Sequence, residues 1–334
     1  MNYKNLSIFE NKSVLVTGGA GFIGSNIIRH LKQYTKNCEI YIFDIFRNDE
    51  NSTSLGHFEN IKLYNVNIIH GDLSDTVTLK ELFQYNFDFI FHQGAISDTT
   101  AINQSLVIKT NLNSFYFFLE YARNKNVPMV YASSAAVYGD LPSPQKVGNE
   151  NPINIYGFTK VSMDRMVLKE INKNVNRSSL IGLRYFNVYG MGEFYKGKTS
   201  SVCFQIAKKL LNNESPILFE GSENIFRDFV YIEDIIQAIF LSMISKKSGV
   251  YNIGSGVKSS FKDVYTEVTK SLGIKIDPIY VKNPYNSYQS DTCADIEDAK
   301  KMFGFSPNFT LEKGVENYCN HIIKNFQLIK NIIN

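Results

Sequence analysis

Residues 13–24 read SVLVTGGAGFIG, and this stretch decides the fold. The first five residues form a short apolar run of the kind that makes a strand buried on both faces. Gly18, Gly21 and Gly24 then follow at a spacing in which the first glycine permits a tight turn, the second admits a pyrophosphate and the third lets a helix pack closely. The N-terminus of a helix placed there binds phosphate through its free N–H groups. The stretch therefore predicts a strand, a turn and a helix that bind a dinucleotide.

The same alternation of strand and helix continues as far as residue 186. Short runs rich in β-branched and aromatic residues alternate with longer amphipathic stretches, which is the pattern of βαβ units. It predicts an α/β fold with a doubly wound parallel (Rossmann) sheet, in which ligands bind at the carboxyl ends of the strands. The predicted strands are 13–17, 39–44, 66–70, 87–92, 128–133 and 179–185, and the predicted helices are 22–35, 76–85, 103–124 and 156–172.

The pattern loosens after residue 186, which predicts a second, smaller lobe of mixed α/β structure. Its predicted helices are 199–212, 234–246 and 260–272, and its predicted strands are 217–219, 251–253 and 279–282. No stretch rich in proline, glycine or serine separates the two parts. We therefore expect a dinucleotide-binding domain at 1–186 and a nucleotide-sugar-binding lobe at 187–334, with some exchange of chain between them and a cleft where they meet.

Composition and charge exclude several classes of protein. The chain has 334 residues, 44% of them hydrophobic, and a formal net charge of +3, which is too small an excess to predict nucleic-acid binding. Its four cysteines are scattered and form no CxxC or Cys/His cluster, so we expect neither a metal site nor a disulfide framework. The apolar stretch 235–244 is half as long as a membrane-spanning helix, and residues 1–12 lack the apolar segment of a signal peptide. We expect a cytoplasmic protein that binds no membrane.

Two residues near the end of the second predicted strand give conflicting indications about the cofactor. Asp44 follows Gly24 by twenty residues, where a carboxylate accepts hydrogen bonds from a ribose 2′-hydroxyl and favours NAD. Arg47 pairs with a 2′-phosphate and favours NADP, unless it is a solvated loop charge. Turns after the third and fourth strands would hold the adenine and the nicotinamide ribose. The residues predicted to contact the cofactor are Gly18, Gly21, Phe22, Ile23, Gly24, Asp44, Ile45, Arg47, Asp72, Leu73, Gln93, Gly94, Ala95, Ser97, Asn111, Lys160 and Val188.

A second group of residues follows the fifth predicted strand. Ser134 closes that strand, and Tyr156 and Lys160 open a helix four residues apart, which places them on one helix face. A lysine ammonium there stabilises a tyrosinate and lowers a phenol pKa that is normally about 10. Ser134 can then hydrogen-bond the same substrate oxygen. A Tyr-x-x-x-Lys pair alone is more often a half-buried tyrosine with a solvated lysine, but downstream of the glycine motif it predicts general acid/base catalysis.

Four further segments carry a resemblance to a known family. They are RYFNVYG at 184–190, EFYKGKTSS at 193–201, LFEGSEN at 218–224 and RDFVY at 227–231. Together with the motifs above, they make almost the whole chain similar to the extended short-chain dehydrogenase/reductases that modify nucleotide sugars. The lysine-bearing segment and the LFEGSEN segment resemble, in particular, the ADP-L-glycero-D-manno-heptose 6-epimerases.

The resemblance implies an activity, a cofactor and an assembly. The activity is inversion at C6 of ADP-D-glycero-D-manno-heptose for the inner core of lipopolysaccharide. The cofactor is tightly held NADP, with NAD as the alternative, and the assembly is a homo-oligomer, a pentamer in the family. Tyr156 and Lys196 match the two acid/base residues, Ser134 a helper and Lys160 a cofactor anchor, all four being catalytic. The implied substrate contacts are Ser134, Asn187, Lys198, Gln205, Phe219, Glu220, Gly221, Ser222, Arg227 and Tyr288, although Lys198 and Gln205 replace a serine and a histidine of the best-known members.

Such a reaction needs two acid/base groups. A sugar carbon with no acidic proton can be inverted by removing a hydride, letting the carbonyl present its other face and returning the hydride. One proton-transfer group serves each face, whereas a plain dehydrogenase needs only the tyrosine. Lys196 has an alternative interpretation as a surface lysine or a phosphate contact. Arg227 can hold a diphosphate bidentately, or it can pair with Asp228 or Glu223.

Three other functions stay open at this point. A nucleotide-sugar 4,6-dehydratase carries an Asp-Glu pair after the serine or threonine of the fifth strand, where this chain has Ala135 and Ala136. A UDP-hexose 4-epimerase shares the Ser/Tyr/Lys set but lacks the Lys196 segment. A protein of this fold that binds NADP without catalysis is the third, and the intact Ser/Tyr/Lys set argues against it.

Overall fold

A parallel sheet with helices on both faces forms the larger part of the molecule. The computed structural model describes residues 3–47, 56–173, 178–283 and 291–326. Its strands are β1 (Ser13–Thr17), β2 (Glu39–Asp44), β3 (Asn67–His70), β4 (Phe89–His92), β5 (Met129–Ser134), β6 (Leu180–Tyr185), β7 (Asn187–Tyr189), β8 (Ile217–Phe219), β9 (Phe226–Tyr231), β10 (Gly249–Ile253), β11 (Lys258–Ser260) and β12 (Ile279–Val281). Within these residues, seven strands pair in parallel in the order β10-β6-β5-β4-β1-β2-β3. The predicted doubly wound α/β fold is confirmed.

Each predicted helix is found within a few residues of its predicted bounds, with one exception. The helices of the structure are α1 (Phe22–Tyr34), α2 (Thr76–Leu82), α3 (Gln104–Val107), α4 (Ser114–Lys125), α5 (Ile155–Asn172), α6 (Val202–Leu211), α7 (Ile232–Ser245), α8 (Phe261–Leu272), α9 (Glu297–Phe303) and α10 (Leu311–Lys324). The single helix predicted at 103–124 is instead α3 and α4 joined by a π-helical turn at Ile108–Asn113. The wider turn presents the Asn111 amide to the backbone of Ile96, with which it exchanges two hydrogen bonds of 2.9 Å.

Strand β1, in the interior of the sheet, explains why the strands are apolar nearly throughout. Val14 and Val16 of β1 belong to a core shared with α1 and α7, whereas Leu15 belongs to a second core on the opposite face, shared with α2, α4 and α5. Each successive residue of a strand points to the opposite face, so both faces must be apolar when both are covered. At the edge of the sheet this requirement relaxes, and Ile68 of β3 is 54% exposed.

The second lobe is built on two small sheets, of order β11-β9-β7 and β12-β8. The sequence interpretation missed β7, β9, β11, α9 and α10. It placed a strand at 251–253 in this lobe, but the structure pairs β10 with β6, at the edge of the large sheet. The chain therefore returns to the larger lobe after residue 186. None of the described helices has both the length and the apolar character needed to cross a bilayer.

Candidate active site

A cavity of about 1270 Å³ lies where the carboxyl ends of the parallel strands face the second lobe. This is the edge at which open α/β sheets bind their ligands. Most of the predicted site residues line it. They are Gly18, Gly21, Phe22, Ile23, Gly24, Asp44, Ile45, Asp72, Leu73, Gln93, Gly94, Ala95, Ser97, Ser134, Tyr156, Lys160, Asn187, Val188, Lys196, Lys198, Gln205, Phe219, Ser222 and Arg227.

The glycine-rich turn forms the floor of the cavity. Gly18 has a φ of +63°, in the left-handed region that glycine adopts without strain, and its N–H donates to the carbonyl of Phe43 at 2.9 Å. A Cβ atom on Gly24 would lie 2.2 Å from the carbonyl oxygen of Gly18, so α1 packs against the turn more closely than any side chain permits. Gly21 is the N-cap of α1. The turn thus presents backbone N–H groups and a helix N-terminus to the cavity, as a pyrophosphate requires.

Asp44 lies beside the turn, whereas Arg47 points elsewhere. The Asp44 carboxylate is 6% exposed and accepts hydrogen bonds from the N–H groups of Ala20 (2.9 Å) and Phe46 (3.1 Å). Burial raises the pKa of Asp44, and these N–H groups oppose that rise. The Arg47 guanidinium donates to the carbonyl oxygen of Tyr195, and Arg47 is not among the described residues that line the cavity. Its contact with a 2′-phosphate stays a prediction.

The side-chain amide of Gln93, directly after β4, presents a buried N–H donor to the cavity. The hydroxyl of Tyr185 donates to its Oε1 at 3.0 Å, which fixes the orientation of the amide. Its Nε2 is buried and has no hydrogen-bond partner among the described residues. Because an unpaired buried donor is costly, this group points to a ligand oxygen in the cavity. Asn111 does not line the cavity in the described structure but holds the backbone of Ile96 behind it.

Ser134, Tyr156 and Lys160 meet at the middle of the cavity. Lys160 Nζ lies 5.7 Å from the centre of the Tyr156 ring and donates to the carbonyl of Ala132 at 2.7 Å. Burial lowers the pKa of Lys160 to about 8, and the charge of Asp164 opposes that change. We expected a lowered phenol pKa, but burial raises the pKa of Tyr156, and only a hydrogen bond with Ser134 opposes the rise. The tyrosine is therefore a protonated phenol in the protein alone.

A buried ion pair fixes the helix that carries Tyr156 and Lys160. Asp164, one turn beyond Lys160 on α5, accepts hydrogen bonds from Tyr131 (2.8 Å) and Ser133 (2.9 Å) of β5 and from Arg184 Nε (2.8 Å) of β6. Both Asp164 and Arg184 are 1% exposed. Since α5 is tied to β5 and β6 at once, its first turn has a fixed position over the end of β5.

Lys196 reaches the cavity on a loop that is closed by a buried carboxylate. Glu193 is fully buried and accepts hydrogen bonds from the N–H of Gly190 (3.1 Å), the hydroxyl of Ser201 (2.7 Å) and the N–H of Ser201 (2.6 Å). Lys196 Nζ lies 5.1 Å from the centre of the Phe22 ring. Burial lowers the pKa of Lys196, and Glu193 opposes that change. A lowered pKa brings an ammonium group closer to exchanging protons near neutral pH.

The second lobe supplies a cation and a hydroxyl. Arg227 of β9 is 6% exposed, and its guanidinium carbon lies 5.6 Å from the centre of the Phe261 ring. The carboxylate of Asp228, which the sequence offered as a partner for Arg227, accepts hydrogen bonds from Ser255, Gly256 and Ala294. The buried hydroxyl of Ser222 has no partner among the described residues.

The remaining predicted substrate contacts fall into three groups. Lys198 is exposed at the cavity, and the Gln205 amide donates to the carbonyl of Ser200 at 2.8 Å. Glu220 and Gly221 are not among the described residues that line the cavity. Tyr288 lies outside the described residues.

Several lining residues were missed by the sequence interpretation. Tyr185 and Phe186 lie inside the quoted RYFNVYG segment, and their position at the carboxyl end of β6 was a usable signal. Phe261, at the start of α8, carries no local signal, because only the packing of the second lobe brings it to the cavity. Further missed lining residues include Phe43, Gly56, Gly71, Ile96, Thr110, Ile153, Asn154, Ile217, Leu218, Ile225 and Phe229.

A family model described as the NAD dependent epimerase/dehydratase family matches residues 14–254. The chain belongs to this family. The structure is similar to that of Helicobacter pylori ADP-L-glycero-D-manno-heptose-6-epimerase, with 40% sequence identity, a TM-score of 0.88, and coverage of 97% of this chain and 99% of that chain. This finding confirms the resemblance noted from the sequence.

Two other solved structures are similar over nearly the same length. The UDP-N-acetylglucosamine 4-epimerase of Methanobrevibacter ruminantium is 26% identical, with a TM-score of 0.83 and coverage of 95% of this chain and 99% of that one. The UDP-glucose 4-epimerase of Thermus thermophilus, in complex with NAD, is 24% identical and shares the fold, with a TM-score of 0.80 and coverage of 93% and 99%. The chain is an NAD(P)-dependent nucleotide-sugar epimerase, and its cofactor is a nicotinamide dinucleotide.

Replacing Gly24→Ala should weaken dinucleotide binding by at least about tenfold, or about 1.4 kcal/mol. The added methyl would overlap the carbonyl oxygen of Gly18, so α1 must move away from the turn. Titration of the protein with NAD and NADP, followed by calorimetry, measures the change. Gly273→Ala is the control, because it strains a glycine with a φ of +66° at the end of α8 where the space is open. Unchanged binding by the Gly24 variant would contradict the proposed pyrophosphate site.

Proposed function

We propose that this enzyme inverts C6 of ADP-D-glycero-D-manno-heptose, giving ADP-L-glycero-D-manno-heptose for the inner core of lipopolysaccharide. The observation that carries the proposal is that Tyr156 and Lys196, which lie on different elements, line one cavity. The 40% identity to an ADP-heptose 6-epimerase over 97% of the chain supports the choice of substrate.

The two groups divide the proton transfers of the reaction between them. When bound, an oxidised nicotinamide dinucleotide supplies the hydride acceptor and a positive charge close to the reacting sugar. Tyr156, on the first turn of α5, takes the hydroxyl proton at one face, with Ser134 holding the same oxygen. Lys160, kept close to the phenol by its bond to Ala132, stabilises the tyrosinate form that accepts this proton, together with the positive charge of the bound dinucleotide. Lys196 serves the opposite face and exchanges its proton with the alcohol of inverted configuration.

The second lobe binds the nucleotide part of the substrate. Arg227 offers a planar, buried guanidinium, which suits a diphosphate better than a flexible ammonium does. The unpartnered hydroxyl of Ser222 supplies a further hydrogen bond to the ligand. Lys198, exposed at the mouth of the cavity, adds a second positive charge.

The rival activities are less well supported by the residues present. A dehydratase needs an acid and a base after Ser134, but this chain has Ala135 and Ala136 there, at the start of a short 3₁₀ turn. The N–H of Ala136 donates to the hydroxyl of Ser134 at 3.1 Å. Neither alanine can transfer a proton. A UDP-hexose 4-epimerase has no need of Lys196, so it remains the second candidate and differs in that one requirement.

Three finer properties belong to the same proposal. NADP is the preferred dinucleotide, as the resemblance to the family implies, although the Arg47 guanidinium is bonded to Tyr195 and is not among the described residues that line the cavity. The enzyme assembles as a homo-oligomer, with a pentamer as the arrangement of the family. It acts in the cytoplasm, where nucleotide sugars are made.

The purified protein should epimerise ADP-heptose without any added oxidant or reductant. Incubation with ADP-heptose, GDP-heptose and UDP-hexoses, followed by NMR, identifies the substrate and the inverted carbon. Deuterium placed at C6 should stay in the product, because the hydride returns to the carbon it left. Turnover of a UDP-hexose alone would replace the proposed substrate. Appearance of solvent deuterium at C6 would replace the redox mechanism with proton abstraction.

Removing either acid/base group should slow epimerisation by about 10²–10⁴-fold. Tyr156→Phe and Lys196→Met should both still bind ADP-heptose, and each should exchange hydride with an aldehyde analogue on the face served by its remaining group. Ser134→Ala should give a milder loss. Lys209→Met, at an exposed position on α6, is the control for loss of a lysine. If Lys196→Met epimerises at the parental rate, Lys196 is a binding residue and Tyr156 serves both faces.

The dinucleotide that is released when the purified protein is denatured should be mainly NADP. Separation of the released nucleotides by chromatography identifies them directly, and titration of the stripped protein gives the two affinities. Finding only NAD would mean that Asp44 decides the preference and that Arg47 contacts no 2′-phosphate.

A further inference from the structure

The segment between β2 and β3 touches the loop that carries Lys196. The ring of His57 stacks on the ring of Tyr195, with the ring centres 3.7 Å apart and the planes 8° from parallel. The guanidinium of Arg47 donates to the carbonyl oxygen of the same tyrosine. Tyr195 directly precedes Lys196, so these contacts hold the residue that sets the direction of the Lys196 backbone.

The same segment is bonded to the glycine-rich turn. The N–H of His57 and the side-chain amide of Asn60 both donate to the carbonyl oxygen of Ala20, each at 3.0 Å. The N–H of Ala20 in turn donates to Asp44. Ala20 lies between Gly18 and Gly21, so His57 is attached to the pyrophosphate site through its backbone and to Tyr195 through its ring.

The loop is also held directly before Tyr195, where the ring of Phe194 packs against Phe204, Tyr318 and His321. Glu193 closes its two ends, but between them Gly197 has open space around it and residues 197–199 are exposed. Tyr195 is nevertheless only 4% exposed. The ring of His57 covers one face of the Tyr195 ring, and burial and the charge of Arg47 lower the pKa of His57.

We propose that Arg47, His57 and Tyr195 form a clasp through which the dinucleotide site positions Lys196. The three are positioning residues, because none of them is among the described residues that line the cavity. When the dinucleotide orders the glycine-rich turn, the hydrogen bond between His57 and Ala20 and the stack of His57 on Tyr195 restrict the motion of Tyr195. The ordered loop then places Lys196 at the sugar. Coupling of this kind is reciprocal in binding free energy, so a loosened Lys196 loop must weaken equilibrium binding of the dinucleotide. The inference rests on the proposed role of Lys196 as the second acid/base group.

Amide hydrogen exchange of the protein with its bound dinucleotide tests the clasp. In His57→Ala, residues 194–200 should exchange faster by about threefold to tenfold, the range expected for loss of an aromatic stack. His57→Phe keeps a stacking ring and should restore the parental exchange. Tyr85→Leu removes a ring next to β4 at the amino end of the sheet, opposite the cavity, and should leave residues 194–200 unchanged.

The equilibrium affinity for the dinucleotide gives the reciprocal measurement. Tyr195→Leu should raise its Kd above that of the parent by about threefold to tenfold, although residue 195 does not line the cavity. A parental Kd would overturn the proposal. So would His57→Ala with unchanged exchange of residues 194–200, since His57 would then only pack against its neighbours.

Neither measurement needs turnover, which separates this inference from the proposed function. If the parent does not epimerise ADP-heptose but both couplings are found, the clasp stands and the substrate proposal fails. If the parent epimerises ADP-heptose but neither coupling is found, the clasp fails alone.

Discussion

The buried ion pair between Asp164 and Arg184 is the interaction on which the rest of the site depends. Tyr156, Lys160 and Asp164 follow one another at four-residue intervals on one face of α5, so fixing the third residue fixes the other two. Asp164 is satisfied by β5 and β6 together, and a rotation or slide of the helix would leave a charge unpaired in the interior. Breaking such a pair costs about 3–5 kcal/mol, a large part of the stability of an ordinary domain. The helix therefore has one position, and Tyr156 has one position relative to Ser134.

Lys196, the proposed acid/base group for the second face of the carbon, is held in place differently from Tyr156. Tyr156 belongs to the rigid part of the fold, whereas Lys196 lies on a loop closed by Glu193 and held by contacts with side chains. Burial lowers the pKa of Lys160 and of Lys196. Lys160 nevertheless keeps a hydrogen bond to a backbone carbonyl and remains close to Tyr156. The site thus combines one fixed proton-transfer group with one that depends on its surroundings.

Local pattern was sufficient for the first lobe and for the residues that follow its strands. The strands were predicted to within one or two residues, because a strand covered on both faces needs an unbroken apolar run. The glycines and the Tyr-x-x-x-Lys pair are local in the chain, and their spacing alone places them.

In the second lobe the strands are three to six residues long, and β9, which reads FRDFVY, mixes charges with aromatics, so no period is visible. The contact between Arg47 and Tyr195 joins residues 148 positions apart and leaves no trace in either local sequence. The raised pKa of Tyr156 depends on burial, which spacing does not reveal.

The position of β10, at the edge of the large sheet beside β6, has a consequence for how the chain folds during its synthesis. β6 is buried along its whole length, and its outer neighbour is not synthesised until residues 249–253 leave the ribosome. Until then the nascent chain exposes a strand edge with unpaired N–H and C=O groups, which is a template for pairing with other chains. The helix between β9 and β10 is mostly buried and belongs to the same core as β6, so it arrives just before the strand that closes that edge. The second lobe is therefore not an appendage, since the larger sheet becomes complete only when nearly half of residues 187–334 have been made.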